Sequence, residues 1–386
     1  MNPILKYILN LSAFQRILGD NPKLKALVKA ENLLLGLVNG HKVPGISLTV
    51  LYKGQKFLQK GYGYADLNRK KMVDPRTTVF RIASVSKPIA ATALAYMVAE
   101  GKIELDASFY DYVPYFPKKQ WDFTIRQLAG HTAGIRGYQG LEYGLNEPYT
   151  IKEGIGIFQA DNLLFEPGTD FLYNSFDWVL ISLAMQEASG VPFEEYVYEK
   201  VLRPLEMLDT FPDFLHNANE NANGTDNVST RVADSSKGDN GKNRIKNIAT
   251  FYSKNKLGFR MAKPVNNYYK LAGGGYLSTS EDIAKLGQAY LDGRIVDQEL
   301  RSQFLTSQTV LGEPTYYGLG WQVSQDRLSR NFYGHVGNGI GGYSNFFVYP
   351  NEQMVFVILI NCMDPKVQDT LDEAIDLLIV AAHSAT

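Results

Sequence analysis

Cysteine is nearly absent: Cys362 is the only one in 386 residues, which excludes an intrachain disulfide and a thiolate metal cluster. An excess of either charge is missing too. Lys plus Arg number 39 against 40 for Asp plus Glu, a formal net charge of -1, so no global field draws the chain onto nucleic acid or anionic lipid. The longest apolar runs, MVFVILI near 354 and DLLIVAA near 376, fall well short of the roughly 18 residues that span a bilayer, and no transmembrane segment is expected. The five histidines are scattered without metal-ligand spacing, so no metal is expected, and nothing points to another cofactor. A P-loop and a G-x-S-x-G elbow are both lacking, which speaks against an NTPase and an α/β-hydrolase. GYGYAD at 61 to 66 is too weak for a dinucleotide-binding loop.

The first residues, MNPILKYILNLSAF, are interrupted by Lys6 and lead to no small-residue cleavage site, so no signal peptide is predicted. The compartment stays open, cytoplasmic on that absence and periplasmic or exported as the alternative. Oligomeric state has no signature here.

What is present is an ordinary globular composition, 45% hydrophobic and 20% charged, on a chain long enough for two lobes. An amphipathic helix is predicted from Pro22 to Asn39, followed by two antiparallel strands joined by a tight turn at Lys53 and Gly54. From about 81 to about 210 the periodicity is mainly helical, with 84 to 100 and 176 to 189 clearest. Residues 216–246 contain almost no large apolar side chains and are expected to be a mobile insertion. After it come a glycine-rich turn and helix, strands in YGLGWQVS and SNFFVYP, and a buried strand in MVFVILINC. A last helix is predicted with Asp364 as its cap, Pro365 at its first position, and Val367, Leu371, Ile375 and Leu378 as its apolar stripe. The predicted organisation is an N-terminal arm over 1–22 and one domain over 23–386. That domain holds an α/β lobe (23–80 and 260–386), a helical lobe (81–215) and the insertion.

A serine three residues before a lysine on a helix puts hydroxyl and amine on one face, within proton-transfer reach if the amine is neutral. The spacing occurs twice, at Ser84 and Lys87 and at Ser253 and Lys256. Ser253 lies in polar YSKNKLG, which has no apolar periodicity, and reads as surface. Ser84 precedes a helix that is apolar nearly all round, with Pro88 fixing its start. The hydroxyl would then sit at free backbone N–H groups and the positive end of a helix, and burial would lower the Lys87 pKa. The bland alternative is an N-cap serine with a snorkelling lysine.

Tyr173 is expected in a loop after the turn at Pro167 and Gly168, just before a helix with Ser175 as N-cap and Gly190 as its stop. Most of the 24 tyrosines are packing residues, and Tyr173 alone would be an ordinary one. Near the end, His335 stands in a glycine-rich approach to a strand, where Gly337 lets backbone come close to a ligand and the Asn338 N–H is a candidate oxyanion donor. A lone histidine is more often structural.

Taken together, Ser84-Val-Ser-Lys87, Tyr173-Asn-Ser175 and His335-Val-Gly337 resemble, in order and approximate separation, the three motifs of the penicillin-binding and serine β-lactamase-like superfamily, of class C β-lactamase and carboxypeptidase type. The likeness extends to the branch of mitochondrial serine β-lactamase-like proteins and their bacterial relatives, and covers roughly residues 25 to 375. LAGHTAGI at 128, FEPGTDFLY at 165, AGGGYLST at 272 and YGLGW at 317 support it.

The resemblance implies an α+β, β-lactamase/transpeptidase-like fold, an antiparallel sheet flanked by terminal helices with an inserted all-helical lobe. It also implies roles: Ser84 as nucleophile, Lys87 and Tyr173 as proton shuttle, the Ser84 and Asn338 N–H groups as oxyanion donors, and His335 orienting Tyr173 or the substrate. The implied function is a serine hydrolase working through a Ser84 acyl-enzyme on a small-molecule or peptide acyl substrate. Two departures matter. Asn174 falls one place early in the second motif, leaving Ser175 in its slot, and His335 replaces the lysine that suits a penicillin or stem-peptide carboxylate. Ester or peptide/amide hydrolysis is therefore favoured over a β-lactamase or D-Ala-D-Ala carboxypeptidase, with a catalytically silent scaffold or ligand sensor as the remaining reading. A Tyr-x-Asn at Tyr343 and Asn345 lies after His335 and reads as strand.

Overall fold

The computed structural model describes residues 22–213 and 247–383; the N-terminal arm and the predicted insertion lie outside the described residues. The chain divides into two compact units, one made by its terminal helices and the other spanning Val38–Lys366. In the first, helix α1 (Pro22–Asn39) forms where the sequence predicts it, but of the apolar residues Leu24, Leu27, Val28, Leu34, Leu35 and Val38 that suggested it only Leu34 is buried. The buried face is Ala26, Ala30, Leu34 and Leu37, while Leu24, Val28 and Leu35 are exposed. Lys29 on α1 pairs with Glu373 of the C-terminal helix, Gln368–His383, at 2.9 Å. That last helix starts at Gln368 rather than at Pro365 as predicted. Asp364 and Lys366 both have left-handed backbone (φ 44° and 55°), which no right-handed helix accepts, and they pair with each other instead.

The second unit is built on a seven-stranded antiparallel sheet. Its strands are β1 (Gly45–Tyr52), β2 (Gln55–Asp66) and β3 (Lys71–Met72), and then β11 (Gln322–Gln325), β12 (Asn331–Gly339), β13 (Gly342–Tyr349) and β14 (Met354–Ile360), in the order β11-β12-β13-β14-β1-β2-β3. Early and late strands meet where β1 pairs β14, Ile46 opposite Ile360 through Tyr52 opposite Met354. The turn between β1 and β2 has φ of 49° at Lys53 and 74° at Gly54, the paired left-handed residues a two-residue hairpin needs. β14 is buried at every residue, as an apolar run in mid-sheet must be. YGLGWQVS is strand only from Gln322. Its glycines carry the chain past helical neighbours: a Cβ on Gly320 (φ 83°) would lie 2.6 Å from the Trp178 ring and 2.7 Å from Ala91.

Between these strand groups lies a mainly helical segment whose two longest elements are α2 (Ser86–Ala99) and α3 (Phe176–Ser189). Neither has a polar side over most of its length, and both sit within one core cluster with Trp178, Trp321 and Phe123. Further on, α4 (Ser280–Leu291) lies against the sheet so closely that a Cβ on Gly287 would come within 2.6 Å of Val355 and 2.9 Å of Phe346. A small sheet of β4 (Phe80–Arg81), β8 (Tyr276–Ser278) and β5 (Phe211–Pro212), in the order β4-β8-β5, ties the chain entering α2 to the chain leaving the glycine-rich turn. The remaining strands form surface hairpins, β6 (Tyr252–Asn255) with β7 (Gly258–Met261) and β9 (Thr309–Val310) with β10 (Glu313–Pro314). Ser253 and Lys256 thus sit on or beside an exposed hairpin, not on a helix.

Candidate active site

Ser84 lies in a single 3₁₀ turn, Ala83–Val85, that feeds directly into α2, so Pro88 falls in the first helical turn, where proline is accommodated. The turn is strained: Ala83 has φ 46°, a conformation a non-glycine residue adopts only when its surroundings impose it. Those surroundings are visible. The Ile82 N–H donates to the Tyr276 carbonyl at 3.2 Å, the Ser344 hydroxyl to the Ile82 carbonyl at 2.6 Å, and the Tyr276 N–H to the Ser86 hydroxyl at 3.1 Å.

One turn along α2, Lys87 is fully buried. Its Nζ donates to the Gly273 carbonyl at 2.8 Å and lies 3.3 Å from Ser84 Oγ. Burial is the main cause that lowers its pKa to about 7, against a smaller opposing pull from Asp177. The bland reading of a snorkelling lysine does not hold for a side chain with no solvent exposure.

Tyr173 enters from the loop before α3, its hydroxyl 2.8 Å from Ser84 Oγ and its ring 4.7 Å under the Lys87 ammonium. The residue keeps 39% of its surface exposed, and desolvation of its hydroxyl raises its pKa well above the phenol range. Three rings wall it in: His131 (centroids 4.7 Å apart), Tyr317 (5.8 Å) and His335 (5.8 Å).

The second motif resolves differently from expectation. Asn174 rather than Ser175 supplies the side-chain cap of α3: its Oδ1 accepts from the Asp177 N–H at 2.8 Å, and its Nδ2 donates to Asp177 Oδ2 at 2.7 Å and to the Ile135 carbonyl at 3.1 Å. Ser175 makes no side-chain cap and lines the pocket beside Ser84 instead. Asp177 in turn holds His131 Nδ1 at 2.7 Å. Burial drives the Asp177 pKa up and the His131 pKa down. Asn174, Asp177 and His131 therefore form a buried polar support behind Tyr173.

His335 is buried too, and it does not hydrogen-bond Tyr173. Its Nδ1 faces the Val336 carbonyl at 2.7 Å and must carry the proton, since a carbonyl only accepts. Its Nε2 then accepts from the Tyr317 hydroxyl at 2.9 Å. Burial, helped by the Lys87 charge, lowers its pKa to about 3, so the ring is neutral. His335 therefore meets Tyr173 only by ring packing, and its hydrogen-bond partner is Tyr317, which the YGLGW segment hid among other tyrosines.

Gly337 is where β12 meets the serine turn. A Cβ there would stand 2.3 Å from both the Ile82 carbonyl and Ser344 Oγ, and 3.1 Å from Ser84 N. Asn338 follows. The β12-β13 hairpin closes on the Gly339 and Gly342 pair, so the next pair, Asn338 and Tyr343, turns its backbone groups outward. On that outer edge Val336 N–H donates to Gln322 Oε1 at 3.1 Å and the Asn338 carbonyl accepts from Tyr143 at 3.0 Å. The Asn338 N–H belongs to the same outward-facing edge, and Asn338 lines the pocket together with Ser84.

Among the described residues no group of acidic, histidine or cysteine side chains could hold a metal ion, and no helix is long and apolar enough to cross a membrane. The fold and the three motifs define a β-lactamase/transpeptidase-like protein. The Beta-lactamase family model matches residues 28–381, and the chain belongs to that family, whose members are serine hydrolases. It is similar to the human mitochondrial serine beta-lactamase-like protein LACTB, 26% identical over 85% of this chain and 73% of the relative. It also resembles protein flp of Staphylococcus aureus, 30% identical over 45% of this chain and 36% of flp. Among solved structures it is similar in fold to D-amino acid amidase from Ochrobactrum anthropi SV3, with TM-score 0.72, 21% identity, and coverage of 90% and 98% of the two chains. The octameric penicillin-binding protein homologue from Pyrococcus abyssi shares the fold at TM-score 0.71 and 24% identity, over 91% of this chain and 76% of that one.

Proposed function

We propose that the chain hydrolyses esters or amides through an acyl-enzyme on Ser84. The observation that carries this reading is the convergence on one hydroxyl of a buried amine 3.3 Å away and a phenol 2.8 Å away. With its pKa near 7, a large fraction of Lys87 is neutral at physiological pH and can take the Ser84 proton as Oγ attacks the carbonyl carbon. Tyr173 stays protonated, so it acts as donor: it passes its proton to the leaving oxygen or nitrogen and is resupplied from the Lys87 ammonium. The carbonyl oxygen, negative in the tetrahedral intermediate, would lie between the N–H groups of Ser84 and Asn338. Water then attacks the acyl carbon, giving its proton to the same pair, and Ser84 regains its hydrogen.

Esters and amides are favoured over penicillins because the third-motif residue, His335, is neutral, buried and already bonded on both nitrogens. Among the described residues, the third motif offers no cation for a carboxylate on the leaving-group side. The names of fold neighbours fit this, an amidase and the hydrolase EstCE1 with promiscuous acyltransferase activity. The test is a substrate panel: aryl esters and amides are expected to turn over, with kcat/KM for a chromogenic cephalosporin at least about 100-fold lower than for an aryl ester. A cephalosporin turned over as well as the ester would overturn the substrate reading, and no turnover of any panel member by wild type would favour a silent scaffold.

Gly337→Ala tests the close approach of β12. The added methyl must push the strand off the serine turn, costing about 1–3 kcal/mol of stability as overpacking does and about 100-fold in kcat by displacing one oxyanion donor. Denaturant melts and ester kinetics would read both; unchanged kcat would place the oxyanion elsewhere.

A further inference from the structure

Lys270 is a cation the proposed chemistry leaves unused. It ends the 3₁₀ turn Tyr268–Lys270, just before the glycine-rich segment whose Gly273 carbonyl holds Lys87, and it lines the same pocket as Ser84. Only 6% of it is exposed. Among the described residues its ammonium makes one hydrogen bond, to the Tyr143 carbonyl at 3.1 Å, and no ion pair. Tyr138, Tyr143 and Tyr269 surround it, with ring centroids 5.2, 5.8 and 5.5 Å away.

Asp213 is felt by Lys270 but forms no ion pair with it. Asp213 Oδ2 accepts from Arg81 at 2.8 Å and from Asn267 Nδ2 at 2.5 Å, its Oδ1 has no hydrogen-bond partner among the described residues, and Arg81 also donates to the Ile340 carbonyl at 3.0 Å. Arg81 and Asp213 cancel each other, and the pocket wall keeps the Lys270 charge. A buried ammonium with donors to spare is costly unless an anion meets it. Burial does lower its pKa, to about 8, yet that still leaves it mostly protonated at neutral pH.

The position of the charge says which part of a substrate it would meet. Tyr173, the proton donor to the leaving group, is not among the residues lining the pocket; Ser84, Ser175, Asn338 and Lys270 are. If Tyr173 protonates the leaving group, as the hydrolase reading has it, the leaving group departs on the Tyr173 side and the acyl part falls to the pocket that Ser84, Ser175, Asn338 and Lys270 share. Building on the hydrolase reading, we propose that the preferred substrates carry a carboxylate on their acyl portion, so that the chain cleaves monoesters or monoamides of dicarboxylic acids, with Lys270 as the residue that selects them.

The test compares 4-methylumbelliferyl adipate, which keeps a free carboxylate on the acyl chain, with its methyl-capped ester. Wild type is expected to favour the free acid in kcat/KM, and Lys270→Met to reduce that preference about 10- to 100-fold, the range for one charged hydrogen-bond partner. Lys270→Arg, which keeps the charge, should retain most of the preference. Binding to the Ser84→Ala protein gives a readout free of turnover: calorimetry should detect monomethyl adipate, not dimethyl adipate, and lose it when Lys270→Met is added.

If both esters are cleaved alike and Lys270→Met changes neither the ratio nor binding, the proposal is overturned while the hydrolase reading stands. If the acid binds through Lys270 but wild type cleaves nothing, the carboxylate site stands and the hydrolase reading fails. Equal loss in Lys270→Met and Lys270→Arg marks a collapsed aromatic box and overturns the proposal.

Discussion

Ser84→Ala is expected to lower kcat for an aryl ester by at least about 10⁴-fold, the scale on which loss of a nucleophile is felt when nothing else in the site can replace it. The substitution removes only an oxygen, and nothing in the fold depends on it. Ser84 Oγ has hydrogen-bond contacts with Lys87 and Tyr173 alone among the described residues, while the neighbouring turn is held by Ile82, Ser86 and Ser344. Thermal unfolding should therefore shift little: the hydrogen bonds that hold the strained turn at Ala83 are kept, and the loss is confined to the partner of the Tyr173 hydroxyl and of one Lys87 donor. Steady-state kinetics with a melt on the same sample separates the two effects. Residual turnover within ten-fold of wild type would remove Ser84 as nucleophile.

Lys87→Met is the second large effect, a loss of about 10²–10⁴-fold as expected for removing a general base. Its diagnostic value lies in pH. Since the Lys87 pKa is lowered to about 7 by burial, the amine is charged and unable to accept a proton below that pH, and neutral above it. The wild-type kcat/KM should rise with pH through about 7 and then level off, and the rise should vanish in Lys87→Met. His335 contributes no limb in that range, because its pKa lies near 3. Tyr173 contributes none either, since its pKa is raised rather than lowered. A limb that survives in Lys87→Met would assign the base to another group.

The catalytic spacing was legible because it is local. A serine three residues before a lysine, a proline fixing the helix start and an apolar helix thereafter are all read within one segment, and they place Ser84 and Lys87 as found. The sheet was legible for the same reason, since alternation and an apolar run mark β1, β2 and β14 without knowledge of their partners.

What escaped reading was long-range or masked by a common residue type. Lys270 in NNYYKLAGGGY has the look of a surface lysine before a turn, and only the fold puts it among three tyrosine rings. Tyr317 and His131 acquire meaning when β12 and α3 bring His335 and Asp177 to them. The shifted asparagine of the second motif did carry a local signal, Asn174 with Asp177 three places on, a helix-capping arrangement. The predicted start of the last helix failed because Asp364, a good cap by type, is drawn off: its N–H donates to Asn338 Oδ1 at 3.0 Å and its carboxylate pairs with Lys366.

The most direct test is the rate at which a fluorophosphonate becomes attached to the protein, followed by intact mass and peptide mapping across pH 5 to 9. One adduct per chain, mapped to Ser84 and formed at a rate that climbs with a midpoint near pH 7, is the predicted result. Attachment at another residue, or a pH-independent rate at Ser84, would contradict the claim that a buried, readily neutralised amine activates this serine.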